Sequence, residues 1–134
     1  MTTIVADFKA GTMCADSQWT DGEERGPVRK VHRIRGALIG LAGNLDDIHA
    51  WLQAYKSGNA LPKCIATALL LDQTGVYTWN SAEGWLPMPS PWAIGSGGKL
   101  ARAAMMAGAD AKQAVRIAIQ IDASTNGVVR TYRL

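Results

Sequence analysis

Up to Ala42 the chain is built from short β-favouring runs joined in pairs by turns too tight to admit a crossover. Strands joined that way pair antiparallel. Thr3, Ile4, Val5 and Ala6 open the first run, and Lys9-Ala10-Gly11 turns it into a second, Thr12 to Asp16. Val28 to Ile34 and Ala37 to Leu41 form another hairpin across Arg35-Gly36. Between the two hairpins, Thr20 to Pro27 is polar and rich in turn residues, and reads as a loop. Later in the chain, Cys64 to Leu71 reads as a buried strand, turned by Asp72 to Gly75 into Val76 to Trp79. Ser81 to Gly84 is a further turn, Pro87, Pro89 and Pro91 mark an irregular passage, and Val128 to Tyr132 is a closing strand.

The hydrophobic period changes at three places. Asn44 is suited to cap a helix, and Asp46 and Asp47 fall in its first turn, where the helix dipole favours anions. Ile48, Trp51, Leu52 and Tyr55 then recur at helical spacing, and Gly58 suits the end. Two more helices span Lys99 to Met106 and Asp110 to Ile121. Strand pairs that need covering and helices with one apolar stripe predict an α+β layered fold, two antiparallel sheets sandwiched between helices. The 134 residues suit a single domain, 1–134. A chain of that size buries about two-thirds of its unfolded surface and needs no staples.

Charge and composition narrow the function. Net charge is +3, and the one basic cluster, Arg29, Lys30, His32, Arg33 and Arg35, alternates with Val31 and Ile34. That pattern is a strand face rather than a nucleic-acid tract, so no nucleic-acid partner is expected. The longest apolar run, Ile65 to Leu71, is far too short to cross a bilayer, and no membrane partner is expected. No basic-then-apolar leader opens the chain, which with two isolated cysteines, Cys14 and Cys64, predicts a cytoplasmic protein with reduced thiols. His32 and His49 are the only histidines, so neither a metal nor another cofactor is expected.

Gly95-Ser96-Gly97-Gly98-Lys99 invites a phosphate-loop reading and fails it. Leu100 follows the lysine, and Ala93 stands where the first glycine belongs. The stretch reads as a tight strand-to-helix connection that leaves Ser96 at a helix start. Three other polar residues carry plain structural readings. Asp16 suits a strand-end turn, Lys30 a solvated strand edge, and Asp122 a hydrogen bond within the turn that ends at Gly127.

Six segments change that picture when taken in order. Met1-Thr2-Thr3-Ile4-Val5 resembles the start of HslV and the mature start of proteasome β-subunits. Ala15-Asp16-Ser17-Gln18-Trp19-Thr20 is similar to the Ala-Asp-Ser-Arg-x-Thr run of those β-subunits, and Lys30-Val31-His32-Arg33-Ile34 to the Lys-Val-Arg-Arg-Leu of HslV. Leu41-Ala42-Gly43 resembles the family's Ala-Gly turn, and Ala93 to Gly98 resembles the HslV string at that place. Asp122 and Thr125-Asn126 resemble a mixture, with the acid as in proteasomes and Thr-Asn as in HslV. These matches span nearly the whole chain.

The resemblance implies an αββα sandwich and a threonine-type peptidase whose nucleophile is Thr2, exposed by removal of Met1. Its hydroxyl would attack the scissile carbonyl and its α-amine, with an ordinary pKa of about 7.7–8.0, would take the proton. By the same resemblance Lys30 would supply positive charge beside the hydroxyl, and Asp16 would pair with Lys30. Gly43 would give its N–H to the oxyanion, Ser96 would relay a proton near the amine, and Asp122 and Thr125 would brace it. Trp19, Thr20 and Leu41 would form the pocket for the side chain before the cut, favouring apolar residues over charged ones. The implied partners are a peptide or unfolded-protein substrate, further copies of the chain in a homo-oligomer or ring, and an ATPase unfoldase. The chain departs from the family where residues 58–63 leave no room for a second long helix, so one helical layer is reduced and ring assembly is open. Two other functions fit the same features: an N-terminal-nucleophile amidohydrolase of small amides, and an inactive binding or assembly module.

Overall fold

A computed structural model describes residues 2–21, 24–122 and 125–134, with only the backbone described at 20, 21 and 25. Met1 lies outside the described residues. Among the described residues, eleven strands and three helices follow one another: β1 (Ile4–Asp7), β2 (Thr12–Ala15), β3 (Gln18–Asp21), β4 (Glu24–Pro27), β5 (Val31–Ile34), β6 (Ala37–Ala42), α1 (Leu45–Ser57), β7 (Thr67–Asp72), β8 (Gly75–Asn80), β9 (Gly84–Met88), β10 (Trp92–Ile94), α2 (Gly98–Met106), α3 (Ala111–Ile121) and β11 (Arg130–Arg133). One sheet runs β10-β1-β2-β11, a second β5-β6-β7-β8-β9, and β3-β4 form a separate ribbon. Every pairing is antiparallel, as the tight turns require.

Three apolar clusters hold these parts together. Ile4, Ala6, Met13 and Ala15 from the four-stranded sheet pack on Val31, Leu38, Leu69, Leu71 and Val76 from the five-stranded one, so the two sheets face each other. Strand side chains alternate between faces. The other face of the four-stranded sheet therefore presents Val5 and Cys14, which meet Ala101 of α2 and Ala111, Ala114, Val115 and Ala118 of α3. Small residues at that helical spacing let α3 approach the sheet closely. The helix is started by Asp110 and Gln113, whose side chains reciprocally bind each other's backbone N–H. The far face of the five-stranded sheet, with Ile39, Leu41, Ala68, Leu70 and Trp79, receives α1 through the fully buried Trp51. Its ring stacks on Tyr55 at 4.9 Å and meets Trp79 edge-on at 5.9 Å. Asn44 caps α1 by accepting the Asp47 N–H at 2.8 Å. Residues 58–66 carry no helix.

Four local expectations change. The polar segment before Pro27 is a hairpin, with Gln18 opposite Pro27 and Trp19 opposite Gly26. Gly26 has no side chain, and a Cβ there would lie 2.7 Å from the Trp19 indole nitrogen, so the ring rests against bare backbone. The strand expected from Cys64 begins at Thr67, and Ile65, left out of it, is 76% exposed. The proline-rich passage contributes Pro87 to β9, an edge strand where a missing N–H is tolerated. The last strand starts at Arg130 rather than at Val128. Among the described residues, no helix is long and apolar enough to cross a membrane.

Candidate active site

Register brings the ends of six elements to one place. Ile4 pairs with Ala15 and with Ile94, so the residues just before β1 lie beside those just after β2 and β10. Lys30, just before β5, lies beside Leu41 near the end of β6, and its carbonyl accepts the Leu41 N–H at 3.0 Å. The end of α3 and the turn after it close the group.

Thr2, Asp16 and Lys30 are all buried there. Lys30 Nζ donates to Thr2 Oγ1 at 3.1 Å and to Asp16 Oδ2 at 2.8 Å. The side chains of this ion pair are 6% and 0% exposed. Asp16 is fixed further by the Thr3 N–H, 2.9 Å from Oδ1, and the Asn126 N–H, 3.3 Å from Oδ2. Burying an ion pair is favourable only when such additional bonds satisfy its remaining lone pairs. Burial pushes the Lys30 pKa below its ordinary value, and the hydrogen bond and charge of Asp16 oppose that shift. The result is an ammonium with weakened proton affinity, held against the hydroxyl of Thr2.

A second set of bonds holds the same threonine from the other side. Ser96 Oγ donates to Asp122 Oδ2 at 2.6 Å, and Thr125 Oγ1 donates to the same oxygen at 2.7 Å. Each hydroxyl has one proton, so Thr125 accepts its 2.9 Å bond from Thr3 Oγ1. Ser96 Oγ also lies 3.4 Å from the Thr2 carbonyl, too long to compete with its bond to Asp122. The Thr2 carbonyl accepts the Gly97 N–H at 3.3 Å. Asp122 ends α3, where the helix dipole disfavours an acid. Two hydroxyl donors offset that placement. Gly95, with φ +94°, is required here, because a Cβ would lie 2.0 Å from the Thr2 carbonyl oxygen.

Thr2 opens on a cleft of about 340 Å³, lined also by Trp19, Lys30, Leu41 and Gly43. Gly43 has φ +140°, and a Cβ would approach the Ala66 backbone to 3.0 Å, so the bend before α1 needs this glycine.

No protein-family profile and no curated protein sequence matches the chain. Solved structures do. Eukaryotic HslV from Trypanosoma brucei superposes with a TM-score of 0.79 at 25% identity, covering 98% of this chain and 98% of that one. The chain has the proteasome β-subunit/HslV fold. BPH from Thiobacillus denitrificans superposes with a TM-score of 0.76 at 15% identity, over 99% of this chain and 96% of BPH. Its complex with epoxomicin gives 0.76 and 15%, over 99% and 97%.

Within this HslV-like frame, Thr2, Asp16 and Lys30 form one hydrogen-bonded set and Ser96, Asp122 and Thr125 another, and Thr3 joins the two. Gly43, Trp19 and Leu41 line the cleft beside Thr2. Thr20 lies in β3, and its side chain is outside the described residues. Sequence reasoning missed Thr3, whose N–H and hydroxyl link Asp16 to Thr125. It also missed His32 and the first turn of α1, Leu45, Asp46 and Ile48, which line the cleft. Strand alternation could have found His32, because it shares a face with Lys30. Nothing in the order of residues signals the approach of α1 to Thr2, which depends on how the helix packs.

Proposed function

We propose that the chain is a threonine peptidase with Thr2 as nucleophile. The observation that carries this reading is the buried Lys30 ammonium, paired with Asp16 and 3.1 Å from Thr2 Oγ1. A hydroxyl beside a buried cation loses its proton more readily, because the charge stabilises the developing alkoxide. Removal of Met1 frees the Thr2 amine. Thr2 Oγ bonds to the scissile carbonyl carbon as its proton passes to that amine. The peptide C–N bond breaks, the amine returns the proton to the leaving nitrogen, and water then hydrolyses the ester on Thr2. The Gly43 N–H, in the cleft, stabilises the oxyanion, a contribution of about 3–4 kcal/mol for donors of this kind. Ser96, with its proton committed to Asp122, keeps lone pairs that can accept from the freed amine. Asp122 and Thr125 hold Ser96 and Thr3 in place.

Trp19 and Leu41, which line the cleft, form the pocket for the side chain before the cut. We read the layers as helix, sheet, sheet, helix, with α1 alone on one side. The substrate is a peptide or unfolded protein, the working form a homo-oligomer in the cytoplasm, and an ATPase unfoldase a candidate partner. The direct test is hydrolysis of fluorogenic peptides by the wild type and by Thr2→Ala. Turnover that Thr2→Ala abolishes supports the reading, and equal turnover in both sinks it. Epoxomicin, bound by BPH in its complex, is the inhibitor to try: one equivalent per chain should block turnover.

A further inference from the structure

We infer that His32 makes the cleft beside Thr2 a pH-graded pocket, one that takes uncharged side chains at neutral pH and admits glutamate as the pH falls. This rests on reading Thr2 as the nucleophile and deepens it to a class of substrate. Five apolar side chains line the cleft: Trp19, Val28, Leu41, Leu45 and Ile48. His32 stands among them, half-buried, on the face of β5 that also carries Lys30.

Among the described residues, the charged groups around it come from two elements. Arg29 and Lys30 lie on its own segment, and Asp46 and Lys56 lie on α1. Its β6 neighbours Ile39 and Leu41 are uncharged, and β3 brings Gln18 and Trp19. Lys30 is matched by Asp16. Arg29 and Asp46 are exposed and opposite in sign, so water and salt screen them at the rim. Among the described side chains of the cleft, His32 is therefore the one whose charge changes between mildly acid and neutral pH, and His32→Gln separates its effect from that of the freed Thr2 amine, which titrates nearby. Burial, then Lys56 and Arg29, push its pKa below the ordinary 6.5.

At neutral pH the imidazole is uncharged and can bond the amide end of glutamine. A glutamate carboxylate entering then loses water without gaining a countercharge, which is costly. Once His32 is protonated, the same carboxylate receives a charge-assisted hydrogen bond.

The experiment uses two peptides that differ only as glutamine or glutamate before the cut. Their kcat/KM ratio cancels the titration of shared machinery. The Glu/Gln ratio should rise about tenfold from about pH 8 to about pH 5.5, above the ordinary glutamate pKa of about 4.3. His32→Gln, polar but not titrating there, should flatten the ratio. A flat ratio in the wild type, or the same rise in His32→Gln, overturns the inference. Calorimetric binding of the two peptides to Thr2→Ala protein gives a readout without turnover. If neither peptide is cleaved but the affinity ratio still rises on acidification and flattens in His32→Gln, the nucleophile reading falls and the pocket stands. A flat affinity ratio overturns the pocket itself.

Discussion

Lys30 makes contacts of different kinds, among them an ion pair to Asp16 and a hydrogen bond to Thr2, and its replacement separates stability from chemistry. Lys30→Ala leaves the Asp16 carboxylate buried with two backbone donors and no countercharge. Breaking such a pair should cost about 3 kcal/mol or more, seen as a lowered urea midpoint, and turnover should vanish. The double variant Asp16→Asn, Lys30→Met removes both charges. It should recover much of the stability and none of the turnover, whereas recovered turnover would remove Lys30 from the mechanism. Ser96→Ala should be milder on both counts, because the Thr2 carbonyl keeps its bond to the Gly97 N–H. At this scale the sequence was informative where a residue sits in a quoted motif, as Asp16, Lys30 and Ser96 do. Thr3 escaped notice because a threonine in a β-favouring run looks like a strand residue. Its role comes from Asp16 and Thr125, 13 and 122 positions away.

The turn from β10 into α2 is the element on which the position of Thr2 most depends. Gly95→Ala would put a methyl group within 2.0 Å of the Thr2 carbonyl oxygen, and would do so at a φ of +94° that alanine disfavours. The strand end must shift, carrying Thr2 away from Lys30. We expect turnover to fall at least about 10²-fold, since displacements of about 1 Å cost that much. Gly58→Ala is the control: its φ is also positive, but no atom lies within 4 Å of its added Cβ, so it should lose stability and keep turnover. Equal loss of turnover in both would mean that backbone strain, rather than displacement of Thr2, is responsible. The elements themselves were legible where period and caps agreed, as in α1 with Asn44 and α3 with Asp110. The β3-β4 ribbon was not, because Asp21 to Arg25 carries no apolar alternation and the pairing rests on backbone bonds and on Trp19 over Gly26. Thr67 rather than Cys64 starts β7 because Thr67 is the first residue to pair with β6, opposite Ala42.

Across the whole molecule, residues at the ends of β1, β2, β5, β6, β10 and α3 meet at Thr2, so the site exists only when both sheets are packed. Apolar side chains remain exposed beyond the three cores: Ile65 at 76%, Met106 at 83%, Ile121 at 63% and Val128 at 72%. Together with the HslV-like fold, they lead us to expect a homo-oligomer, and light scattering at micromolar concentration should give a mass several times that of one chain. A strictly monomeric species would favour a binding module over an enclosed peptidase. Catalysis by Thr2, however, turns on one covalent fact. A peptide bond to Met1 would occupy the Thr2 nitrogen and leave no amine to take the proton. The intact mass of the purified protein tests this directly. We predict a mature chain that begins at Thr2, lighter than the full sequence by one methionine residue. A homogeneous population that keeps Met1 would contradict it.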